Sequence, residues 1–240
     1  MGIIKKRDTH LVKIDNMKIN TYFQKKGFDN KFISNNINKI LLECINENNS
    51  DKLKLFIEYA FNNNIKINLN EKFENGDYLI FIACRSCIEM VQLLMDYANK
   101  NNIILKLNEK DNDGNYPLLL ACNKNHIEMV QLLIDYANKS NIILKLNEKD
   151  QNGNYPLLSS CYENNNEIVQ LLMDYANKND IILKLNEKNK YGDYPLLVAC
   201  DKNNNEMVQL LIDYANKNNI ILELYEKKKV WSLSTFTELF

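Results

Sequence analysis

The chain has 240 residues, 45% of them apolar and 25% charged, and its 30 Lys and Arg nearly cancel its 31 Asp and Glu. A formal charge of −1 leaves no global field to draw it to a phosphate backbone or an anionic surface, which sets nucleic-acid and membrane binding aside. No apolar run reaches the ~18–20 residues that cross a bilayer and the opening MGIIKKRDTHLVK has no secretory apolar region, so the expectation is a soluble chain in the cytoplasm.

Residues 1–32 read as a capping segment. Gly2 is not read as a lipidation site, because Lys6 stands where that signal carries Ser or Thr. Residues 33–228 hold about five related segments, the first of them degenerate. Over 41–70 it keeps Cys44, Leu55, Tyr59 and Ala60 but has neither Gly nor Pro. Full copies run near 71–109, 110–148, 149–187 and 188–227. Their glycines, Gly76, Gly114, Gly153 and Gly192, are spaced by 38, 39 and 39 residues. Self-similarity at such a period marks a stack of repeats rather than one globule.

The third copy shows how each is built. Asp150-Gln-Asn-Gly153 signals a turn, with Gly153 free to take a positive φ. Pro156 suits the first position of a helix, where its missing N–H has no intrahelical role. Leu157, Leu158 and Cys161 give that short inner helix an apolar stripe, and Asn164-Asn-Asn166 ends it. A second helix follows from Glu167, apolar around most of its circumference through Ile168, Val169, Leu172, Met173, Tyr175 and Ala176. Such a helix needs cover from its partner and from both neighbouring copies. Ile181 to Leu185 then reads as an extended connection. Asparagine, roughly one residue in six, falls at loops and helix ends, where it tolerates left-handed backbone. Residues 229–240 lose the pattern and read as a tail or cap, with Val230, Trp231, Leu233, Phe236, Leu239 and Phe240 available to cover the last copy or to act as a ligand-like segment.

The recurring Asn-Tyr-Pro-Leu-Leu of 115–119 and 154–158, its variant Asp-Tyr-Pro-Leu-Leu at 193–197, and the following Glu-x-Val-x-Leu-Leu resemble the ankyrin repeat family. The resemblance covers about residues 40 to 227. It implies an all-α helical solenoid of ankyrin type with short β-turn or hairpin connections. It also places Asn147 and Asn186 where the family closes its hairpin. This chain has Tyr-Pro-Leu-Leu where the family has Thr-Pro-Leu-His, so the threonine cap and histidine bond are missing. Asn115, Asn154 and Asp193 are the expected substitutes. Asn125, Asn164 and Asn203 replace the family's inter-helix glycine. The period is ~6 residues longer than the usual 33, which predicts a longer second helix.

Residues with chemical potential mostly have plainer explanations. Cys44, Cys84, Cys122, Cys161 and Cys200 form one column of the inner helices. Adjacent packed helices lie ~8–10 Å apart, too far for disulfides or a four-ligand zinc site, so buried packing is expected. Cys84 and Cys87 form the one Cys-x-x-Cys, with Cys84 near a helix end whose dipole opposes thiolate formation, and Cys87 is expected to be the accessible thiol. His126 falls in a turn column. Glu89, Glu128, Glu167 and Glu206 open the second helices and complement their dipoles. No nucleophile elbow or phosphate loop occurs, so neither enzyme activity nor a cofactor is expected.

What remains is a scaffold that binds a protein partner, implied by the resemblance, along a concave face of turn tips and inner helices. Candidate contacts are the positions that vary while the apolar frame repeats. On the tips these are Asn112, Asp113, Gln151, Asn152, Lys190 and Tyr191. At the inner-helix ends they are Arg85, Lys124, Tyr162 and Lys202. Tyr162 and Tyr191 stand on adjacent repeats and belong to the residue types that anchor interfaces, although Tyr191 packing on a neighbouring turn is the alternative. The chain is expected to be a monomer. The rival to the scaffold is a structural spacer or a fragment of a larger repeat protein, which near-identity of the copies favours.

Overall fold

A computed structural model describes residues 15–28, 36–73 and 76–223. The tail 229–240, the first 14 residues and tip positions Glu74 and Asn75 lie outside these. Eleven helices are described. Helix α1 (Asn16–Lys25) precedes five helix pairs, whose inner members are α2 (Ile37–Asn46), α4 (Leu79–Ser86), α6 (Pro117–Asn123), α8 (Pro156–Tyr162) and α10 (Pro195–Asp201). The outer members are α3 (Ser50–Asn62), α5 (Ile88–Lys100), α7 (Ile127–Lys139), α9 (Asn166–Lys178) and α11 (Asn205–Lys217). Each helix packs on its partner and on its counterparts in the adjacent repeats, so the chain builds two parallel rows. The one β feature among the described residues is an isolated antiparallel bridge between Lys72 and Tyr78.

The local signals act as the residues dictate. Pro117, Pro156 and Pro195 open their helices at the first turn. Asn125, Asn164 and Asn203 are left-handed at φ 55°, 57° and 54°, turning the chain between helices without glycine. A second left-handed column, Asn102, Asn141, Asp180 and Asn219, ends the outer helices. There the chain reverses through a bond such as Ile142 N–H to Ala137 O at 2.9 Å. The outer helices run through Lys100, Lys139, Lys178 and Lys217, past the conserved-looking alanine of each copy, as the longer period requires. In the second copy the inter-helix residue is missing, so Cys87 both ends α4 and caps α5, with φ −148° and ψ 162°.

Two tyrosine columns join the repeats. Tyr116 and Tyr155, at the position of the family's threonine, are fully buried. The Tyr155 hydroxyl donates to the carbonyls of Lys184 at 2.7 Å and Glu187 at 3.0 Å, both in the next repeat. Tyr116 does the same to Lys145 and Glu148. The second column points the other way. Tyr175 accepts from the Leu144 N–H and donates to the Ile142 carbonyl of the preceding connection. Tyr136 and Tyr214 repeat that pattern. An amide column adds a third tie: Asn147 donates to Ile182 O at 2.8 Å and accepts from Lys184 N–H at 3.1 Å. Asn70, Asn108 and Asn186 bond to their next connections in the same two ways. Extended connections, which form no ladder with one another, thus have their backbone groups satisfied by side chains.

Candidate binding surface

In the last three copies the tip is built by an aspartate or asparagine three residues before the glycine: Asp111, Asp150 and Asn189. Asp150 Oδ1 accepts from the N–H groups of Asn152 and Asn154, each at 2.8 Å. Asp111 holds Asp113 and Asn115, and Asn189 holds Tyr191 and Asp193, in the same way. This corrects the expectation that Asn115, Asn154 and Asp193 replace the threonine cap. No side chain caps α6, α8 or α10. The acceptor that ties each loop lies four residues upstream of Asn115, Asn154 and Asp193.

Successive tips are also bonded to each other. Gln151 N–H donates to Asp113 O at 2.9 Å, and Lys190 N–H donates to Asn152 O at 2.9 Å. Their approach is close enough that a Cβ on Gly153 would lie 2.9 Å from the Cα of Asn189. Gly153 therefore answers both to its φ of 83° and to the neighbouring backbone.

Several candidate contacts prove to be engaged within the stack. Arg85 donates to Asp77 at 3.2 Å and to Asp111 at 3.1 Å, and its guanidinium lies 4.3 Å from the Phe81 ring centre. Lys124 donates to the Arg85 carbonyl at 2.8 Å, and Gln151 Nε2 to Asn112 O at 2.6 Å. Tyr162 is half-buried: its hydroxyl donates to Asp193 and accepts from Asn189. Burial first, and then the Asp193 bond, push that phenol up to about 12. Tyr191 is the reverse case. Its side chain is 72% exposed, which overturns the alternative of packing on a neighbouring turn. Asn112, Asp113, Asn152, Lys190 and Lys202 are exposed on the same face.

A second feature escapes sequence reasoning. Ile104, Ile143, Ile182 and Ile221, one per connection, are 54–88% exposed, although the surrounding text suggests core. Alternation along an extended segment is the signal that finds them: Leu183 and Leu185 turn inward, so Ile182 and Lys184 turn outward.

The thiols are packed as expected at Cys44, Cys84, Cys122 and Cys161, whereas Cys200 is half-buried in the last described repeat. Burial pushes Cys44, Cys84 and Cys122 up to about 12. Cys87 is half-buried at the N-terminus of α5, and burial raises it as well. His126 caps α7, its Nδ1 accepting from the Met129 N–H at 3.4 Å, and lies 3.3 Å from Glu128. Glu89, Glu128, Glu167 and Glu206 stand in the first turns of their helices. Among the described residues, no cluster of three or more His, Cys, Asp or Glu is placed to hold a metal, and no helix is long and apolar enough to cross a membrane.

The repeat order, the helix pairs and the linked tips define an ankyrin-type solenoid. The sequence model described as ankyrin repeats matches in three copies, over residues 40–143, 101–182 and 140–221. The chain belongs to the ankyrin repeat family, whose members are generally protein–protein interaction modules. No curated protein matches the chain.

Proposed function

We propose that the chain is a non-enzymatic scaffold that binds a protein partner along the face made by its tips and inner-helix ends, with Tyr191 as the anchor. The observation that carries this is the pairing of exposure and rigidity at Tyr191: a large aromatic side chain stands 72% exposed on a loop. Its backbone N–H is held by Asn189, and the neighbouring Lys190 is bonded to the preceding tip. An aromatic group displayed on a pre-ordered backbone loses little entropy on binding. Lys190, Asn152, Asp113 and Lys202 supply polar contacts around it. Tyr162 and Arg85 act indirectly, by holding the tips in register.

The isoleucine row supports a second reading, in which recognition runs along the connection edge, since one exposed apolar group per repeat is repeated four times. Affinity capture with Tyr191→Ala set against Ile143→Ser/Ile182→Ser separates the two. Loss of partner with the tyrosine variant alone supports the tip face. Loss with the isoleucine variant alone overturns it.

A further inference from the structure

Exposed apolar side chains are not scattered over this molecule. Of the seven large ones among the described residues, five stand on one edge, one per helix pair: Phe61, Ile104, Ile143, Ile182 and Ile221. Phe61 lies in the last turn of α3, and the isoleucines lie in the connections that follow α5, α7, α9 and α11. The position of Phe61 recurs as Asn177 in α9, which shares one cleft with Ile182 and with Lys217 of the next outer helix. Phe61 itself shares a groove with Lys100, the counterpart of Lys217. Lysines thus flank the row at fixed places. Lys106, Lys145 and Lys184 follow their isoleucines by two residues, so an extended backbone turns both outward. Lys100, Lys139, Lys178 and Lys217 end the outer helices, and Lys66 takes the isoleucine position of the first connection. All eight are exposed. The acids nearby are largely engaged by other lysines: Glu148 lies 2.8 Å from Lys110, Glu187 2.6 Å from Lys149 and 3.6 Å from Lys184, and Glu223 3.7 Å from Lys188. Asp96, Asp135, Asp174 and Asp213 sit a turn back along the outer helices, each accepting from a glutamine. Asp180 and Glu109 are the further exposed acids of the connections. The whole-chain charge of −1 is therefore an average that conceals a cationic, apolar edge. Solvent salt confines each charge to ~8 Å, so it is the local surface that a partner meets.

We propose that this edge docks on an anionic lipid bilayer, with Phe61 and the isoleucines entering the head-group boundary and the lysines meeting the lipid charges. An apolar row beside a lysine row is the composition with which interfacial helices hold anionic membranes. Here the connections of a stack present it instead of a helix. Two observations favour a bilayer over a protein segment. The apolar side chains are 54–88% exposed, so they protrude rather than line an enclosed pocket, and a protruding row suits a soft surface that parts around it. The rungs are also copies of one another, with Ile-x-Lys at 104–106, 143–145 and 182–184. A layer of like head groups offers each rung the same partner, whereas a folded protein would have to repeat itself at the same period. The edge uses none of the tip residues, so it adds a second surface to the tip face and does not depend on it.

The experiment sediments the full chain with vesicles of phosphatidylcholine alone and with vesicles carrying about 30% phosphatidylserine, at low and at high salt. The chain should bind the anionic vesicles in preference to the neutral ones, and raising the salt should weaken that binding by about tenfold or more. Ile143→Ser/Ile182→Ser and, separately, Lys145→Glu/Lys184→Glu should each weaken it by about tenfold or more. Their circular dichroism spectra should match the parent's, because all four side chains are exposed. Tyr191→Ala should bind vesicles as the parent does, which tells loss of this edge apart from loss of the tip face. No binding to anionic vesicles overturns the proposal, as does equal binding to both kinds of vesicle or binding that neither double variant weakens. Should the chain ignore anionic vesicles while Ile143→Ser/Ile182→Ser loses capture of a protein, the edge belongs to a protein partner instead.

Discussion

Asn189 donates its side-chain N–H to the Tyr162 hydroxyl at 2.9 Å, joining the inner helix of one repeat to the tip of the next. The same asparagine accepts from the N–H groups of Tyr191 and Asp193, so one residue shapes its own loop and fastens it to the preceding repeat. Tyr162 thereby contributes to the order of the surface on which Tyr191 is displayed. Tyr162→Phe keeps the ring and removes the bonds. It should lower stability by about 1 kcal/mol, the usual net worth of a partly buried hydrogen bond, measured as a shift in the urea midpoint at constant slope.

Tyr155 offers a sterner case, because its hydroxyl is buried and serves two carbonyls of the next repeat. Tyr155→Phe leaves both acceptors without that donor and should cost about 1–3 kcal/mol. Chemical denaturation reads the difference, and a cost no larger than that of Tyr162→Phe would show that water replaces the phenol.

Gly153 and Gly27 separate strain from contact. Both have positive φ, 83° and 88°, but a Cβ at Gly27 meets nothing within 4 Å, while one at Gly153 meets the Asn189 backbone at 2.9 Å. Gly27→Ala should therefore cost about 1–2 kcal/mol from backbone strain alone. Gly153→Ala should cost more and should also loosen the adjoining tip, seen as faster amide exchange at Lys190.

The stack, its period and its left-handed asparagines are legible in the sequence because they rest on local signals that recur. Pro156 can only start a helix, and Asn164 takes the one backbone region open to it at that turn. The cross-repeat bonds are harder to read. The resemblance marks Asn147 but not its partner Ile182, 35 residues on, and Tyr175 looks like an ordinary aromatic residue until the fold brings it to Leu144, 31 residues away. For the same reason Tyr162 and Tyr191 look alike in sequence and part company in structure. What Tyr162 meets, Asn189 and Asp193, belongs to a different copy.

The thiol column gives the fold a pH limit. Burial holds Cys44, Cys84 and Cys122 up at about 12, against an ordinary value of 9.0. The folded chain thus keeps protons that the unfolded chain releases. Each thiol's contribution is fully present below pH 9.0 and is lost as pH rises towards 12. Between pH 9 and 10 the loss should be about 1 kcal/mol per buried thiol. Cys122→Ala should flatten the pH dependence of the urea midpoint by one such share, and an unchanged slope would mean that the thiol titrates in the folded state.

The tip-face proposal makes its clearest demand at Tyr191. The side chain is 72% exposed, whereas the loop is held through its backbone by Asn189 and by the Lys190 to Asn152 bond, neither of which needs the phenol. Tyr191→Ala should leave the circular dichroism spectrum and the melting curve of the chain unchanged. It should weaken capture of the partner by about 2 kcal/mol, the size of a hot-spot truncation. Lys190→Ala and Lys202→Ala should have smaller effects that shrink further as salt is raised, as expected of rim charges screened by solvent. Tyr162→Phe should weaken capture only in proportion to the tip motion it causes. A Tyr191→Ala chain that is fully folded and binds with unchanged affinity, while Ile143→Ser/Ile182→Ser does not, would move recognition from the tips to the connection edge.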